Sequence, residues 1–223
     1  MATVQSRPLV QPGEPAPDFT LPAADRQGSV SLADYRGRSP LFLALFRGLY
    51  CPLCRRNIVQ MGQAREKLQA VGVEMLGGIA SKPEHARLYF RFHPARIPLA
   101  ADPDMITFRA YGVPKPPVTP ERLQAFQSVR INPYGELPEP VPITEVAETL
   151  NRLDGYEFTE TDQEDYQQQW RWDHSTQLIG QFLIDRGGVV RWVNIEGAKE
   201  GVAGLGKFPT DEDLLAAARA LSQ

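Results

Sequence analysis

The chain has 223 residues, 42% of them hydrophobic and 23% charged, with a formal net charge of −3 and two cysteines. That length suits one domain with an elaboration, or two small ones, and buries enough surface to fold without disulfide staples. The slightly acidic balance argues against binding to nucleic acid or to an anionic membrane, no apolar run reaches the ~18 residues of a span, and the start, Met1 to Pro8, lacks a charged-then-apolar signal, so a cytoplasmic protein is expected.

The N-terminal stretch carries Pro8, Pro12, Pro15, Pro17 and Pro22 and reads as an extended lead-in. Ser29 to Leu32 predicts a short edge strand, followed by a turn at Tyr35-Arg36-Gly37. Pro40 to Phe46 is continuously apolar and too short for a helix, which suits a strand buried on both faces. Pro52 sits where a first helical residue belongs, because its fixed φ fits and its missing N–H is no loss. Ile58, Met61, Ala64, Leu68 and Val71 follow at helical spacing, and Gly72 closes that helix. Val73 to Ala80 predicts a second buried strand, completing a right-handed βαβ unit.

Ser81-Lys82-Pro83-Glu84 has capping-box spacing and predicts a helix ending before Pro94. Ile97 to Ala101 reads as a strand, and Asp102-Pro103-Asp104 as the start of a helix running to Tyr111-Gly112. Eight prolines then fall between Val113 and Ile143, with helix-like patches at Thr144–Leu153 and Thr161–Trp172. Residues 114–177 are too many for an ordinary connection and predict an insertion with structure of its own. Gln181–Asp185 and Val189–Val193 predict a hairpin turning at Arg186-Gly187-Gly188, and Thr210–Asp213 caps a last helix with Leu214, Leu215, Ala218 and Leu221 on one face. The expected architecture is an α/β three-layer sandwich around a central mixed sheet, one domain over 1–223 with the insertion before its last hairpin. A thioredoxin-like fold has this order.

The two cysteines form one motif, Cys51-Pro52-Leu53-Cys54, at the predicted start of the first long helix. Unpaired backbone N–H groups and the positive dipole end there favour a thiolate, the reactive form of cysteine. Cys54, one turn later, lies on the same face within disulfide reach, with Cα atoms ~5–6 Å apart. Cys51 at the exposed tip is the expected attacking thiol, and the deeper Cys54 the resolving one. Arg47, Arg55 and Arg56 add cations nearby. First-turn cations oppose the helix dipole, so Arg55 and Arg56 either flank a thiolate or simply point into solvent. Two blander readings stand beside the redox one: buried structural thiols, and half of a zinc site. His85, His93 and His174 show no ligand spacing and read as structural or surface residues. Phe126, Tyr134, Tyr156, Phe158, Tyr166, Trp170 and Trp172 either pack the insertion onto the core or line a pocket or subunit contact. Trp192 reads as a sheet-face packing residue. No nucleotide-loop spacing occurs, and no cofactor is expected.

Several segments carry a family resemblance: Gly13-Glu14-Pro15-Ala16-Pro17-Asp18-Phe19-Thr20-Leu21-Pro22, Leu32-Ala33-Asp34-Tyr35-Arg36-Gly37, Ala101-Asp102-Pro103-Asp104, Ala110-Tyr111-Gly112-Val113, and Phe182-Leu183-Ile184-Asp185 with Gly188. Over residues 13–113 and 178–222 the sequence resembles peroxiredoxins of the alkyl hydroperoxide reductase/thiol-specific antioxidant superfamily. Phe46-Arg47-Gly48-Leu49-Tyr50-Cys51-Pro52-Leu53-Cys54-Arg55 is most similar to the subgroup whose attacking cysteine opens a C-x-x-C. Three family positions depart. Ala44 and Gly48 stand where a proline and a threonine or serine are usual, and Leu178-Ile179-Gly180-Gln181 supplies no arginine before the later core strand. Such groups stabilise charge on the leaving oxygen, and losing one typically costs ~10²–10³ in rate, so a slower peroxide reaction is expected. Arg47 and Tyr50 are the neighbours placed to substitute in part. The proline that faces the cysteines in thioredoxin is also absent before Phe182.

The resemblance implies a hydroperoxide-reducing enzyme with Cys51, Cys54 and Arg47 as its catalytic residues, acting on a hydroperoxide or a small disulfide. A thioredoxin- or glutathione-type reductant would restore it, and a homodimer is one option for assembly. The alternatives are a protein thiol–disulfide reductase or oxidant using the same pair, and a non-catalytic binding module whose partner is held by the proline-rich insertion.

Overall fold

The computed structural model describes residues 7–117, 119–170 and 177–221. A small antiparallel sheet pairs β1 (Thr20–Pro22) with β2 (Ser29–Ser31). The main sheet contains β3 (Leu41–Phe46), β4 (Glu74–Ile79), β5 (Leu99–Ala101), β8 (Gly180–Ile184) and β9 (Val190–Ile195) in the order β5-β4-β3-β8-β9. The first three run parallel, and β8 is antiparallel to both β3 and β9. The parallel crossovers are α1 (Pro52–Ala70) and α2 (Pro83–Phe92), followed after β5 by α3 (Ile106–Tyr111); α7 (Asp211–Ala220) closes the chain and packs on α1. Every residue of central β3 is buried. Both sheet faces are therefore covered, as a continuous apolar strand demands, and the mixed α/β architecture expected from the element order is the one observed.

The lead-in is extended, as its prolines require, but it is stitched to the core. Val10 N–H donates to Tyr111 O at 3.0 Å, Pro15 bridges Val189, Ala23 bridges Ala100, and Val10, Phe19 and Leu21 are buried. Two local expectations fail for identifiable reasons. The Ser81 hydroxyl does not cap α2; it accepts from Leu49 N at 3.0 Å, and Lys82 holds the N-cap position without a side-chain bond. The helix expected from Asp102 starts at Ile106, because the Asp102 carboxylate reaches forward to Ile106 N at 2.8 Å and Thr107 N at 2.9 Å. The capping box of α7 at Thr210 and Asp213 is present as expected.

Residues 114–177 fold into α4 (Pro120–Ser128), a two-stranded pair of β6 (Arg130–Ile131) and β7 (Val141–Pro142), α5 (Ile143–Asp154) and α6 (Glu160–Trp170). The last two match the helical patches in the sequence, although Arg171 and Trp172 lie outside the described residues. The proline density hides α4 and the strand pair from a sequence reading. Yet Pro120 begins α4, and the Thr119 hydroxyl caps it by accepting from Arg122 N at 3.2 Å. Among the described residues no helix is long and apolar enough to cross a membrane.

Candidate active site

The chain leaves β3 at Phe46 and reaches α1 through Arg47-Gly48-Leu49-Tyr50, which places Cys51 at the N-cap of a 19-residue helix. Pro52 takes the first helical position, and no acidic residue occupies the first turn. Cys51 Sγ accepts from Cys54 N at 3.4 Å and lies 3.0 Å from Cys54 Sγ; both thiols are free. The pair is thus within reach of a disulfide, as the spacing predicts. The exposed tip expected for Cys51 is not observed: Cys51 is 6% exposed and Cys54 fully buried. Cys51 forms part of the floor of a cavity walled by α4 and α5 and by Phe158 and Tyr166, so residues 114–177 supply the cover.

Arg47, also buried, joins the sulfur directly, with Nε 3.4 Å from Cys51 Sγ. Its two terminal nitrogens grip the Glu196 carboxylate at 2.7 and 3.0 Å, and Nη1 also donates to Gln177 O at 2.8 Å. Glu196, just after β9, additionally accepts from Ile179 N at 3.1 Å and Gly206 N at 2.7 Å. Gly206 makes that approach with φ +83°, in the left-handed region open to glycine. The sequence reading missed Glu196; its signal, a carboxylate directly following an apolar strand, is common and non-specific. Burial alone would push the Cys51 thiol up. The Cys54 thiol, the Arg47 charge and hydrogen bond, and the Cys54 backbone N–H together outweigh burial and hold it below the usual thiol value. Burial and the adjacent Cys51 push Cys54 the other way, so it keeps its proton.

Neither reading of Arg55 and Arg56 survives. Both turn away from the sulfur and clamp α5. Arg55 is buried, donating to Leu49 O and Asn151 Oδ1 at 2.7 Å and to Asp154 at 2.9 Å, with its guanidinium 3.9 Å from the Tyr156 ring centre. Arg56 takes Glu136 at 2.7 Å and Asp154 at 2.7 and 2.9 Å. The departures from the family pattern also have structural counterparts. A Cβ at Gly48 would lie 2.7 Å from the Tyr50 ring and 3.1 Å from Ala80 O, so Tyr50 fills the space of the usual hydroxyl. Ala44 pairs with Gly77 on one side and Gln181 on the other, a central position where proline would break a ladder bond.

The aromatic residues divide between the two readings. Phe126, Phe158 and Tyr166 line the cavity, while Tyr134 packs inward with its hydroxyl 2.8 Å from Gly206 O and 3.0 Å from Leu53 O. Tyr156 lies beneath Arg55 and donates to Asp162. The Trp170 side chain and Trp172 fall outside the described residues. Trp192 packs on Phe42 across the sheet at 6.2 Å, as expected. His93 stacks on Tyr89, and His85 sits beside Asp162 and Asp165; among the described residues no metal-holding cluster forms. His174 lies outside the described residues. The assembled groups are two free thiols 3.0 Å apart and a fixed guanidinium beside the Cys51 sulfur, a setting that favours the thiolate form of Cys51.

A protein bearing a peroxiredoxin designation in two strains of Mycobacterium tuberculosis is 33% identical over 101 residues, which is 45% of this chain and 63% of that relative's length. The thiol-disulfide oxidoreductase ResA of Halalkalibacterium halodurans is 29% identical over 133 residues, 59% of this chain and 68% of its own. The reduced 2-Cys peroxiredoxin of Plasmodium vivax superposes with a TM-score of 0.58 at 15% identity, covering 94% of this chain and 81% of that one, which identifies a shared thioredoxin-like fold. Residues 12–193 match the model of the AhpC/TSA family, so the chain belongs to that family.

Proposed function

We propose that this chain is a thiol oxidoreductase that reduces hydroperoxides through a Cys51/Cys54 dithiol–disulfide cycle, with residues 114–177 as an insertion within one thioredoxin-like domain. The observation that carries the reading is the triangle of Cys51 Sγ, Arg47 Nε at 3.4 Å and Cys54 Sγ at 3.0 Å. The Cys51 thiolate attacks the terminal oxygen of the hydroperoxide. The O–O bond breaks, the sulfur becomes a sulfenic acid, and the departing alkoxide takes a proton from water. Arg47 faces the developing charge and holds the thiolate before attack. Cys54 then attacks the sulfenic sulfur, a disulfide forms and water leaves. An external reductant, one thioredoxin-type dithiol or two glutathione-type thiols, returns two electrons and two protons. Stopped-flow oxidation of the reduced protein tests this: a Cys51-dependent phase far faster than free cysteine is expected. In Cys54→Ser a dimedone-reactive sulfenic acid on Cys51 should accumulate. A rate equal to that of free cysteine, unchanged in Cys51→Ser, rejects the proposal.

The likeness to ResA favours a second reading, disulfide exchange with a protein partner. Burial of Cys51 beneath the cavity walls weighs against it, because a protein disulfide needs an accessible sulfur. Turnover on insulin disulfides exceeding turnover on hydroperoxides would reverse the order.

A further inference from the structure

We propose that Glu196 is a positioning residue for the reaction at Cys51: by gripping both terminal nitrogens of Arg47 it leaves the Arg47 Nε–H as the group aimed at the sulfur. The inference rests on the dithiol reading above, in which Cys51 attacks, and it holds for a hydroperoxide or a disulfide as oxidant. Arginine carries several N–H donors on a long, rotatable stem, so a cation beside a sulfur does not by itself present one particular hydrogen. Here the choice is made. Nη1 and Nη2 donate to the two Glu196 oxygens at 2.7 and 3.0 Å, Nη1 also donates to Gln177 O at 2.8 Å, and Nε donates to Cys51 Sγ at 3.4 Å. The paired bonds to one carboxylate fix the plane of the guanidinium, and with it the direction of Nε–H.

Glu196 can set that direction because it is itself held. It is buried, and its backbone N–H donates to Ile179 O at 2.9 Å, continuing the pairing of β8 with β9. The oxygen that meets Nη1 also accepts from Ile179 N at 3.1 Å, and the oxygen that meets Nη2 also accepts from Gly206 N at 2.7 Å. Each oxygen thus takes one arginine and one backbone N–H, so turning the side chain would give up bonds on both sides. Charge alone would act in the other direction. A carboxylate near a thiol disfavours its thiolate, and after burial and the adjacent Cys51, Glu196 adds to what pushes the Cys54 thiol up. What Glu196 contributes to a reactive Cys51 is therefore the orientation of the arginine.

The test reads the pH profile of Cys51 alkylation by iodoacetamide in the reduced whole chain, with folding checked by circular dichroism. Glu196→Gln keeps the length, but whichever oxygen becomes the amide nitrogen faces an arginine N–H and a backbone N–H, so one arm of the grip is lost. Glu196→Asp keeps the charge but is a methylene too short to hold the arginine and both backbone N–H groups. In each variant the midpoint should rise by about one pH unit or more, leaving about tenfold less thiolate on the acid side. Added to Arg47→Met, either change should raise it no further, because Glu196 acts through Arg47. A charge effect predicts a lower midpoint in Glu196→Gln and an unchanged one in Glu196→Asp, and a merely structural role moves neither. A midpoint unchanged or lowered in a folded variant, or a second rise in the Arg47→Met background, overturns the proposal and leaves the hydroperoxide reading standing. Alkylation involves no peroxide, so midpoints that rise as expected in a chain that hydroperoxides do not oxidise uphold the role of Glu196 and reject the hydroperoxide reading. Should neither variant fold, NMR of the wild-type chain decides: the Arg47 Nε–H resonance should exchange slowly with solvent and shift as Cys51 titrates, and a freely mobile Arg47 side chain overturns the proposal.

Discussion

At the residue scale the chemistry turns on one charge and what holds it. Burial alone would raise the Cys51 thiol, but its partners outweigh burial and lower it to about 6 in the folded chain. The thiolate therefore contributes stability above the unfolded value, and that contribution is lost as pH falls through the folded one. Iodoacetamide alkylation of Cys51 should accordingly titrate with a midpoint at about 6, and Arg47→Lys should move that midpoint upward, since lysine keeps the charge but not the fork that holds both Glu196 and the sulfur. Arg47→Met removes the cation as well and should lower the peroxide rate by roughly 10²-fold. Gly48→Thr restores the family hydroxyl on paper only. Its Cβ meets the Tyr50 ring at 2.7 Å, so thermal unfolding should report a loss of ~1–3 kcal/mol and no gain in rate. Cys51, Cys54 and Arg47 were legible in the sequence because eight consecutive residues contain them all. Glu196 was not, since it meets Arg47 from 149 residues away and only the fold brings it there.

At the scale of elements, α5 is fastened to α1 by a shared carboxylate. Asp154 receives both Arg55 and Arg56 and is a quarter exposed. Burial pushes its carboxyl up, and the hydrogen bonds and charges of Arg56 and Arg55 more than offset this, leaving it below the usual range. The contribution of this clamp is present above the unfolded carboxyl value and lost as pH falls through the folded one. Asp154→Ala should destabilise by roughly 1–3 kcal/mol, with limited proteolysis cutting first in residues 114–177. The same distances explain what sequence could not tell about the two arginines: their partners lie 80 to 99 residues away. The βαβ unit was readable because its strands are short, nearly continuously buried runs and its helix repeats apolar residues at helical spacing. The Ser81 cap was misread because a tertiary donor, Leu49 N, competed successfully for its hydroxyl.

At the scale of the whole molecule, β3 and α1 position the Cys51 sulfur, and side chains of α4, α5 and α6 line the cavity beside it. The reduced state is favoured by the thiolate's partners, so the Cys51–Cys54 disulfide should be comparatively oxidising. Redox titration should find a lower potential for Arg47→Met, in which the thiolate loses its cation. That Phe126, Phe158 and Tyr166 line this cavity was beyond sequence reasoning, because proline-rich segments carry no period that says which face they present. The Cys51–Cys54 pair has one more consequence. Closing the disulfide abolishes the thiolate and so removes one negative charge from the protein. Oxidation is then also a change of electrophoretic mobility: in native electrophoresis at mildly alkaline pH the oxidised protein should migrate more slowly toward the anode than the reduced one.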